Sequence, residues 1–286
     1  MKLFKCLMVA VLLSFILLPV SVVAAASMTI AVHDYPPFYN VEGKGMMIDV
    51  YTAACKAADI DVSFEVLPVK RAVAYLFQNK VDAFSPGQLF LSPEMNAQVT
   101  NVNTFNVVGI FLYYDPDNTK NVVFNEITDF QDKSILTTAH SPMLKYYEKL
   151  KIDHRVIPSP VNMVKMLHAG RADFMEGTLL SGMSLVHQMF KAQLTDFDYV
   201  LNKAAPCSVA FHNANPKGKT LAAQFEAGFN TIKANGEYIR ILESYWGRNN
   251  IQKEALPLDM ADYGVDKADF EVFGQYTRNA WGQIVE

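Results

Sequence analysis

The feature that most constrains the fold of this chain is a strand–helix alternation that occurs twice. The first occurrence has apolar strands at 28–33, 62–67 and 80–84, with helical spacing of apolar residues at 49–58 and 69–78. The second has strands at 134–138, 154–157 and 171–175, with helices at 142–151 and 160–169. This alternation favours a parallel sheet with helices on its faces. Two such units predict two lobes, although a single continuous α/β domain would show the same alternation.

The chain is predicted to cross between the lobes twice. An apolar strand at 107–114 leaves the first unit, strands at 199–201 and 207–211 return, and a helix at 221–246 broken near Asn235 and Gly236 follows. This pattern places one lobe at 27–113 plus 209–247, the other at 114–208, and a C-terminal extension at 248–286. Two crossing strands form a hinge, and ligands of open α/β sheets bind beyond the carboxyl ends of the strands. A ligand is therefore expected in the cleft between the lobes.

The first 26 residues have the pattern of a secretory leader. Lys2 and Lys5 precede an apolar stretch at 7–23, and small residues follow at 24–26. We predict cleavage after Ala26 and a periplasmic location, with a retained membrane anchor as the alternative. Loss of the two lysines leaves 25 − 2 = 23 basic against 29 acidic residues, a net charge of −6. That charge excludes a nucleic-acid-binding footprint.

Cysteine and histidine usage gives no sign of a metal site. Cys6 lies in the leader, so Cys55 and Cys207 remain, and they either pair in an oxidising compartment or stay as buried thiols. There is no CxxC motif and no Cys/His cluster. We expect no metal and no cofactor.

Six short motifs in order connect the chain to a known family. They are Tyr35–Phe38, Gly45–Val50, Asn79–Phe84, Ser92–Glu94, Gly170–Asp173 and Tyr245–Gly247. With these motifs the chain resembles periplasmic solute-binding protein family 3, the amino-acid-binding-like proteins of ABC importers, over residues 29–247. The resemblance implies the type II periplasmic binding fold, in which each lobe is a mainly parallel sheet flanked by helices and two strands form the hinge. It also implies a monomer that delivers a solute to an inner-membrane permease.

Two departures from the family's pattern concern the ligand. Where the family has an Arg that clamps the carboxylate of an amino acid, this chain has Met95, and where it has an acidic residue for the ammonium group, this chain has Thr178. A thioether cannot replace a charge-assisted guanidinium fork. We therefore expect a small polar or anionic solute, and only weak binding of ordinary α-amino acids.

Five candidate ligand-binding residues belong to the first lobe. Tyr35 and Phe38 follow the first strand, where the resemblance implies an aromatic that stacks on the ligand, unless they pack only against the neighbouring prolines. Arg71 begins the second helix and offers a fork to an anion, although many such arginines are solvated surface charges. Gly87 and Gln88 follow the third strand, where a glycine permits close backbone approach and a glutamine can donate and accept, unless the loop is a simple turn.

Four candidates belong to the second lobe. Ser141 is a good helix N-cap before Pro142, so the free N–H groups there favour an anion, and His140 adds a group that can become charged. Glu176 and Thr178 follow the strand at 171–175. If Glu176 points into the cleft, it implies a cationic or hydroxylated group on the ligand; otherwise it is an outward-facing carboxylate.

Three functions remain compatible with these patterns. The first is a binding protein for an ABC importer, and the second is a sensor or chemoreception component of the same fold. The third is an enzyme, because the fold resembles a periplasmic cyclohexadienyl dehydratase. The sequence has no Ser/His/Asp order with a nucleophile turn, no metal-ligand spacing and no nucleotide loop, so we expect a non-enzyme. The aromatic residues of the extension favour a packed segment over disorder.

Overall fold

The computed structural model describes residues 26–139 and 141–273, and they form an α/β architecture with eight strands. The strands are β1 (Ala26–Val32), β2 (Ile60–Val66), β3 (Ala83–Phe84), β4 (Val99–Tyr114), β5 (Ser134–Thr137), β6 (Asp153–Val156), β7 (Phe174–Thr178) and β8 (Phe197–His212). The α-helices are α1 (Met46–Ala57), α2 (Val69–Phe77), α3 (Gly87–Phe90), α4 (Pro93–Asn96), α5 (Leu144–Leu150), α6 (Pro160–His168), α7 (Leu179–Phe190), α8 (Gly218–Ala234) and α9 (Glu237–Trp246). The predicted alternation is therefore present in both units.

The sheet consists of two parallel groups joined by the two long strands. The order is β2-β1-β3-β8-β4-β7-β5-β6, with β1 parallel to both β2 and β3, and β5 parallel to both β6 and β7. Strand β8 joins the first group through β3, and β4 joins the second through β7, in each case antiparallel. The eight strands form one hydrogen-bonded series because β4 and β8 run through both halves and pair with each other. These halves are the first lobe (β1–β3 side) and the second lobe (β5–β7 side).

Two helices, α1 and α8, pack closely against each other in the first lobe. Helix α1 buries seven of its twelve residues, among them Val50 and Tyr51, which matches its apolar spacing. Gly228 of α8 lies against it so closely that a Cβ at that position would stand 2.0 Å from the carbonyl oxygen of Ala54. Only glycine permits this approach of two helix backbones. The contact fixes α1 and α8 on one face of the parallel group.

The crossing strands are longer than predicted. Strand β4 begins at Val99 instead of 107, and β8 is continuous through Pro206, where two separate strands were expected. Their pairing is irregular at two places, between Asn103 and Phe105 and between Val108 and Ile110 of β4. These register shifts lie where the strands pass from one lobe to the other.

The two described cysteines are free and buried. Burial raises the pKa of the Cys55 thiol to about 12. Burial also raises the pKa of Cys207, whose Sγ lies 3.4 Å from the hydroxyl of Tyr39. The sequence left open either a disulfide or buried free thiols, and the structure has the buried free thiols.

The C-terminal extension is folded as far as it is described. It contains two 3₁₀ turns, Lys253–Ala255 and Leu258–Tyr263, and buries Phe270 and Phe273. Within residues 26–139 and 141–273, no helix has both the length and the apolar character to cross a membrane. The predicted leader lies outside the described residues apart from Ala26, which is the first residue of β1 and pairs with Ile60.

Candidate functional site

The candidate site lies where the carboxyl ends of β1, β5 and β7 meet between the lobes. On the first-lobe side the chain turns directly after β1, with the N–H of Tyr35 donating to the carbonyl of Tyr39 (2.9 Å). The ring of Tyr35 stacks on Phe38 (5.6 Å between centroids, 7° between planes). Phe38 itself is 2 % exposed and also contacts Phe105. The turn therefore places Tyr35 at the edge of the cleft, where its ring packs against the buried ring of Phe38.

Two hydrogen bonds cross the cleft. The hydroxyls of Tyr35 and Thr178 lie 3.1 Å apart, and the hydroxyl of Ser181 donates to the carbonyl of Pro36 at 2.8 Å. Thr178 ends β7 and Ser181 lies in the first turn of α7. Burial raises the pKa of Tyr35, so its hydroxyl stays neutral. These bonds hold the ends of β1 and β7 against each other.

Glu176 lies in a cradle of hydroxyl groups two residues before the end of β7. Its Oε2 accepts from Thr137 (2.6 Å) and Tyr147 (2.9 Å), and Ser141 donates to the same carboxylate (2.6 Å to Oε1). Thr137 and Tyr147 are fully buried, whereas Glu176 is half-buried. Burial and the negative charge of Glu176 both raise the pKa of Tyr147, which remains a donor.

The geometry leaves the charge of Glu176 without a partner in the described part of the chain. None of the ion pairs among residues 26–139 and 141–273 involves it. A carboxylate has about four acceptor positions, and the cradle supplies three donors. One acceptor position and one negative charge therefore remain for a group outside the cradle.

The expected capping role of Ser141 is wrong. Helix α5 begins at Leu144 with Met143 as its N-cap, and Pro142 precedes it instead of starting it. The Ser141 hydroxyl donates to Glu176 and accepts from the N–H of Met143 (2.9 Å). The Ser141 hydroxyl therefore both holds the carboxylate and satisfies one backbone N–H in the turn before α5. His140 lies outside the described residues.

Three further candidates do not join this group of contacts. Arg71 is exposed on α2, and its guanidinium enters none of the hydrogen bonds or ion pairs of the described residues. Gln88 is exposed, and its backbone N–H donates to the hydroxyl of Ser208 (3.0 Å). Gly87 is buried where a Cβ would stand 2.3 Å from that of Ala210. Packing of α3 on β8 therefore explains this glycine.

His33 is a site neighbour that the sequence analysis did not single out. Its ring stacks on Tyr35 (5.7 Å, 13°) and meets the edge of Phe90 (5.2 Å, 81°). Burial lowers the pKa of His33 to about 4, and its Nδ1 has no hydrogen-bond partner in the described part of the chain. The imidazole is therefore neutral at physiological pH. The sequence feature that could have identified His33 is its position directly after β1.

Thr137, Tyr147 and Ser181 were also missed. Thr137 is a polar residue in an otherwise apolar strand, which is a usable sign of a buried hydrogen bond. Tyr147 and Ser181 lie on helices and carry no such sign. Thr137 and Tyr147 hold the Glu176 carboxylate from its buried side, whereas Tyr35, Thr178 and Ser181 make the bonds across the cleft. The half-buried carboxylate can accept from a donor group, or hold a cation, of a polar solute.

A family comparison matches most of the chain. Residues 28–248 match the model of "Bacterial extracellular solute-binding proteins, family 3". The arginine-binding periplasmic protein of Mannheimia haemolytica is 25% identical over an alignment of 229 residues that covers 74% of this chain and 88% of that protein. The extension beyond Arg248 lies outside the family match.

Solved structures share the fold. The L-cystine solute receptor of Neisseria gonorrhoeae, in an unliganded open conformation, has a TM-score of 0.60 at 18% identity, covering 77% of this chain and 93% of that one. A histidine kinase sensor domain similar to periplasmic binding proteins has a TM-score of 0.57 at 19% identity, covering 78% and 97%. The fold is thus the two-lobed type II periplasmic binding fold that the sequence predicted. The chain belongs to the bacterial extracellular solute-binding proteins of family 3.

Proposed function

We propose that this protein captures a small polar solute in the cleft between its lobes, in the periplasm, and delivers it to an ABC importer. Support rests on one observation above all: the carboxyl ends of β1 and β7 face each other across the Tyr35–Thr178 and Ser181–Pro36 hydrogen bonds. Strand ends of this kind are where open α/β sheets bind ligands. The lobes are proposed at 27–113 plus 209–247 and at 114–208, after cleavage of the leader at 1–26.

The solute is proposed to carry both an anionic group and a hydrogen-bond donor. Arg71 is a guanidinium without a protein partner in the described part of the chain, and its fork suits a carboxylate or similar anion. Glu176 keeps one acceptor position and an uncompensated charge, which suit an ammonium, guanidinium or hydroxyl group. The Mannheimia relative is named for arginine, whose guanidinium fits that description.

An unmodified α-amino acid held by the family's usual clamp is not expected. Thr178 stands where the resemblance implies an acidic partner for the ammonium group, and its hydroxyl is engaged by Tyr35. Met95 is 37 % exposed on α4 and has no charge to offer. Glu176 is the nearest alternative carboxylate, since it precedes Thr178 by two residues on the same strand and the same face.

A sensor role is the second candidate. The likeness to a sensor domain concerns the fold alone, so it does not favour that role over transport. Uptake of the identified solute by cells with and without the protein separates the two. Loss of uptake supports the importer, and normal uptake with a lost cellular response supports the sensor. The family and the named relative consist of binding proteins, and no catalytic role is proposed.

The first experiment identifies the solute. Mass spectrometry of what is released on denaturing the purified protein gives candidates, and a thermal-shift screen ranks them. Calorimetric titration then compares wild type with Arg71→Ala, and with Lys70→Ala as the matched control one residue earlier. Charge-assisted hydrogen bonds contribute about 1.5–3 kcal/mol, so Arg71→Ala should weaken binding by roughly ten- to a hundredfold. Equal affinities of wild type and Arg71→Ala would remove Arg71 from the site.

A further inference from the structure

The chain after α9 forms a compact unit that the family match does not include. We define the hinge strap as residues 250–273. Within it, Lys253 N–H donates to the carbonyl of Val265 and Val265 N–H to that of Ile251, each at 2.8 Å. Asp269 N–H donates to the side chain of Asn250 at 2.7 Å. These long-range bonds between its two ends make the strap a folded element.

The hinge strap is fixed closely to the first lobe. Lys233 of α8 pairs with Asp259 of the strap at 2.6 Å. A Cβ at Gly247, which follows α9, would stand 2.5 Å from the carbonyl oxygen of Val272. Leu256 and Met260 are buried in an apolar cluster that includes residues of α8 and α9 and also residues of the second-lobe helix α7. The ion pair and the Gly247–Val272 approach attach the strap to the first lobe.

The strap also contacts the crossing strands at the hinge itself. Asn106 of β4 donates through Nδ2 to the carbonyls of Glu254 (3.1 Å) and Leu256 (2.9 Å). Asn106 pairs with Pro206 of β8, between the two register shifts of these strands. The strap thus lies on the segment about which the lobes must turn.

The strap also contacts the second lobe. Tyr199 of β8 donates to Gln252 and accepts from the N–H of Ala268, each at 2.7 Å. Lys267 pairs with Asp198 at 2.7 Å. The ring of Phe273 meets that of His187 on α7 edge-on at 5.9 Å.

A cavity marks this contact as incompletely packed. It has a volume of about 350 Å³ and lies between strap residues 267–271 and the segment 194–198 of the second lobe. Val272 lies directly against Gly247 at the end of α9. The strap is therefore packed less tightly against segment 194–198 of the second lobe than against the end of α9.

We propose that the hinge strap biases the protein toward the arrangement in which the cleft is bridged. Rotation of the second lobe about β4 and β8 moves Asp198, Tyr199 and His187 away from a strap that stays on the first lobe. Opening therefore breaks the contacts of the strap with the second lobe, and these contacts favour the closed state whether or not a solute is bound. A ligand that requires the closed state then binds more tightly, because the competent fraction is larger. The proposal goes beyond solute capture and does not depend on the solute's identity.

The test measures the distance between the lobes in solute-free protein. Nitroxide labels are placed at Lys44→Cys in the first lobe and Lys145→Cys in the second, both exposed positions. The strap variant is Tyr199→Phe with Lys267→Gln. The control is Thr29→Val, which removes one side-chain hydroxyl bond (2.9 Å to the hydroxyl of Ser63) between β1 and β2, wholly within the first lobe. The native cysteines are buried and should not take the label.

We expect the strap variant to show a longer and broader interlobe distance than wild type, and the control to match wild type. Each lost hydrogen bond should lower the closed-to-open ratio about two- to tenfold. If the double variant does not fold, Phe273→Ala tests the same contact through packing, with the same expected direction. A folded strap variant with the wild-type distance distribution would overturn the proposal. A failure of solute binding in wild type would instead count against the proposed function and leave this measurement unaffected.

Discussion

The buried imidazole of His33 should make the stability of the protein fall in mild acid. Burial lowers the pKa of His33 from 6.5 to about 4. The unfolded chain therefore binds a proton at a higher pH than the folded chain. Stability is fully present above pH 6.5 and is lost as the pH falls from 6.5 toward 4. The neighbouring rings of Tyr35, Tyr39 and Phe90 are neutral and offer no compensating charge.

The size of this loss follows from the two pKa values. One unit of pKa shift corresponds to about 1.36 kcal/mol, so the full loss is about 3 kcal/mol below pH 4. Between pH 7 and pH 5 the same linkage gives about 2 kcal/mol. His33→Phe removes both the titrating group and the Nδ1 that lacks a partner in the described part of the chain. The variant should therefore lose this pH dependence without a large penalty at pH 7.

Urea unfolding followed by circular dichroism at pH 7 and pH 5 measures this effect. Other groups contribute equally to both proteins, so the difference between wild type and His33→Phe isolates His33. His33→Leu is the control that removes the same proton site without a ring, and it should lose the slope as well. Equal pH slopes in wild type and both variants would refute the argument.

Two further predictions concern buried groups. Glu176→Ala should lower the free energy of unfolding by about 2–5 kcal/mol, because two buried hydroxyls lose their acceptor. Glu148→Ala, the control on the exposed face of α5, should change it by less than about 0.5 kcal/mol. Equal effects of the two variants in urea unfolding would count against the cradle. Cys55 and Cys207 should react with a thiol reagent only after denaturation, and without prior reduction, because both thiols are free and buried. A Cys55–Cys207 disulfide found by mass spectrometry before reductant is added would show that the buried thiols are wrongly assigned.

The fold could be predicted from the sequence because its pattern is local. The apolar spacing of α1 and α2 and the apolar strands β1, β2 and β3 around them identify a βαβ series without knowledge of distant contacts. The first half of β4 was missed because Asn101, Asn103 and Asn106 are poor strand formers. Its partner β8 stabilises it as a strand through pairing over their length, which is a tertiary effect.

The site was less predictable because its contacts join distant residues. Glu176 was a candidate, but its direction depends on Thr137 and Tyr147, which lie 39 and 29 residues away. The same carboxylate accepts from Ser141, which lies 35 residues away. The cross-cleft bonds of Tyr35 and Ser181 span about half the chain. No local pattern specifies which hydroxyl reaches across the cleft.

The central claim is that a solute bound in the cleft holds the two lobes together. Small-angle X-ray scattering of the solute-free protein and of the protein saturated with the solute identified by mass spectrometry tests it most directly. The account predicts a smaller radius of gyration with solute, together with a raised midpoint of thermal unfolding, since a ligand at a hundredfold excess over its Kd adds about 2.7 kcal/mol of stability. An unchanged radius of gyration at saturation, in a solute-free sample confirmed to be empty by mass spectrometry, would contradict it.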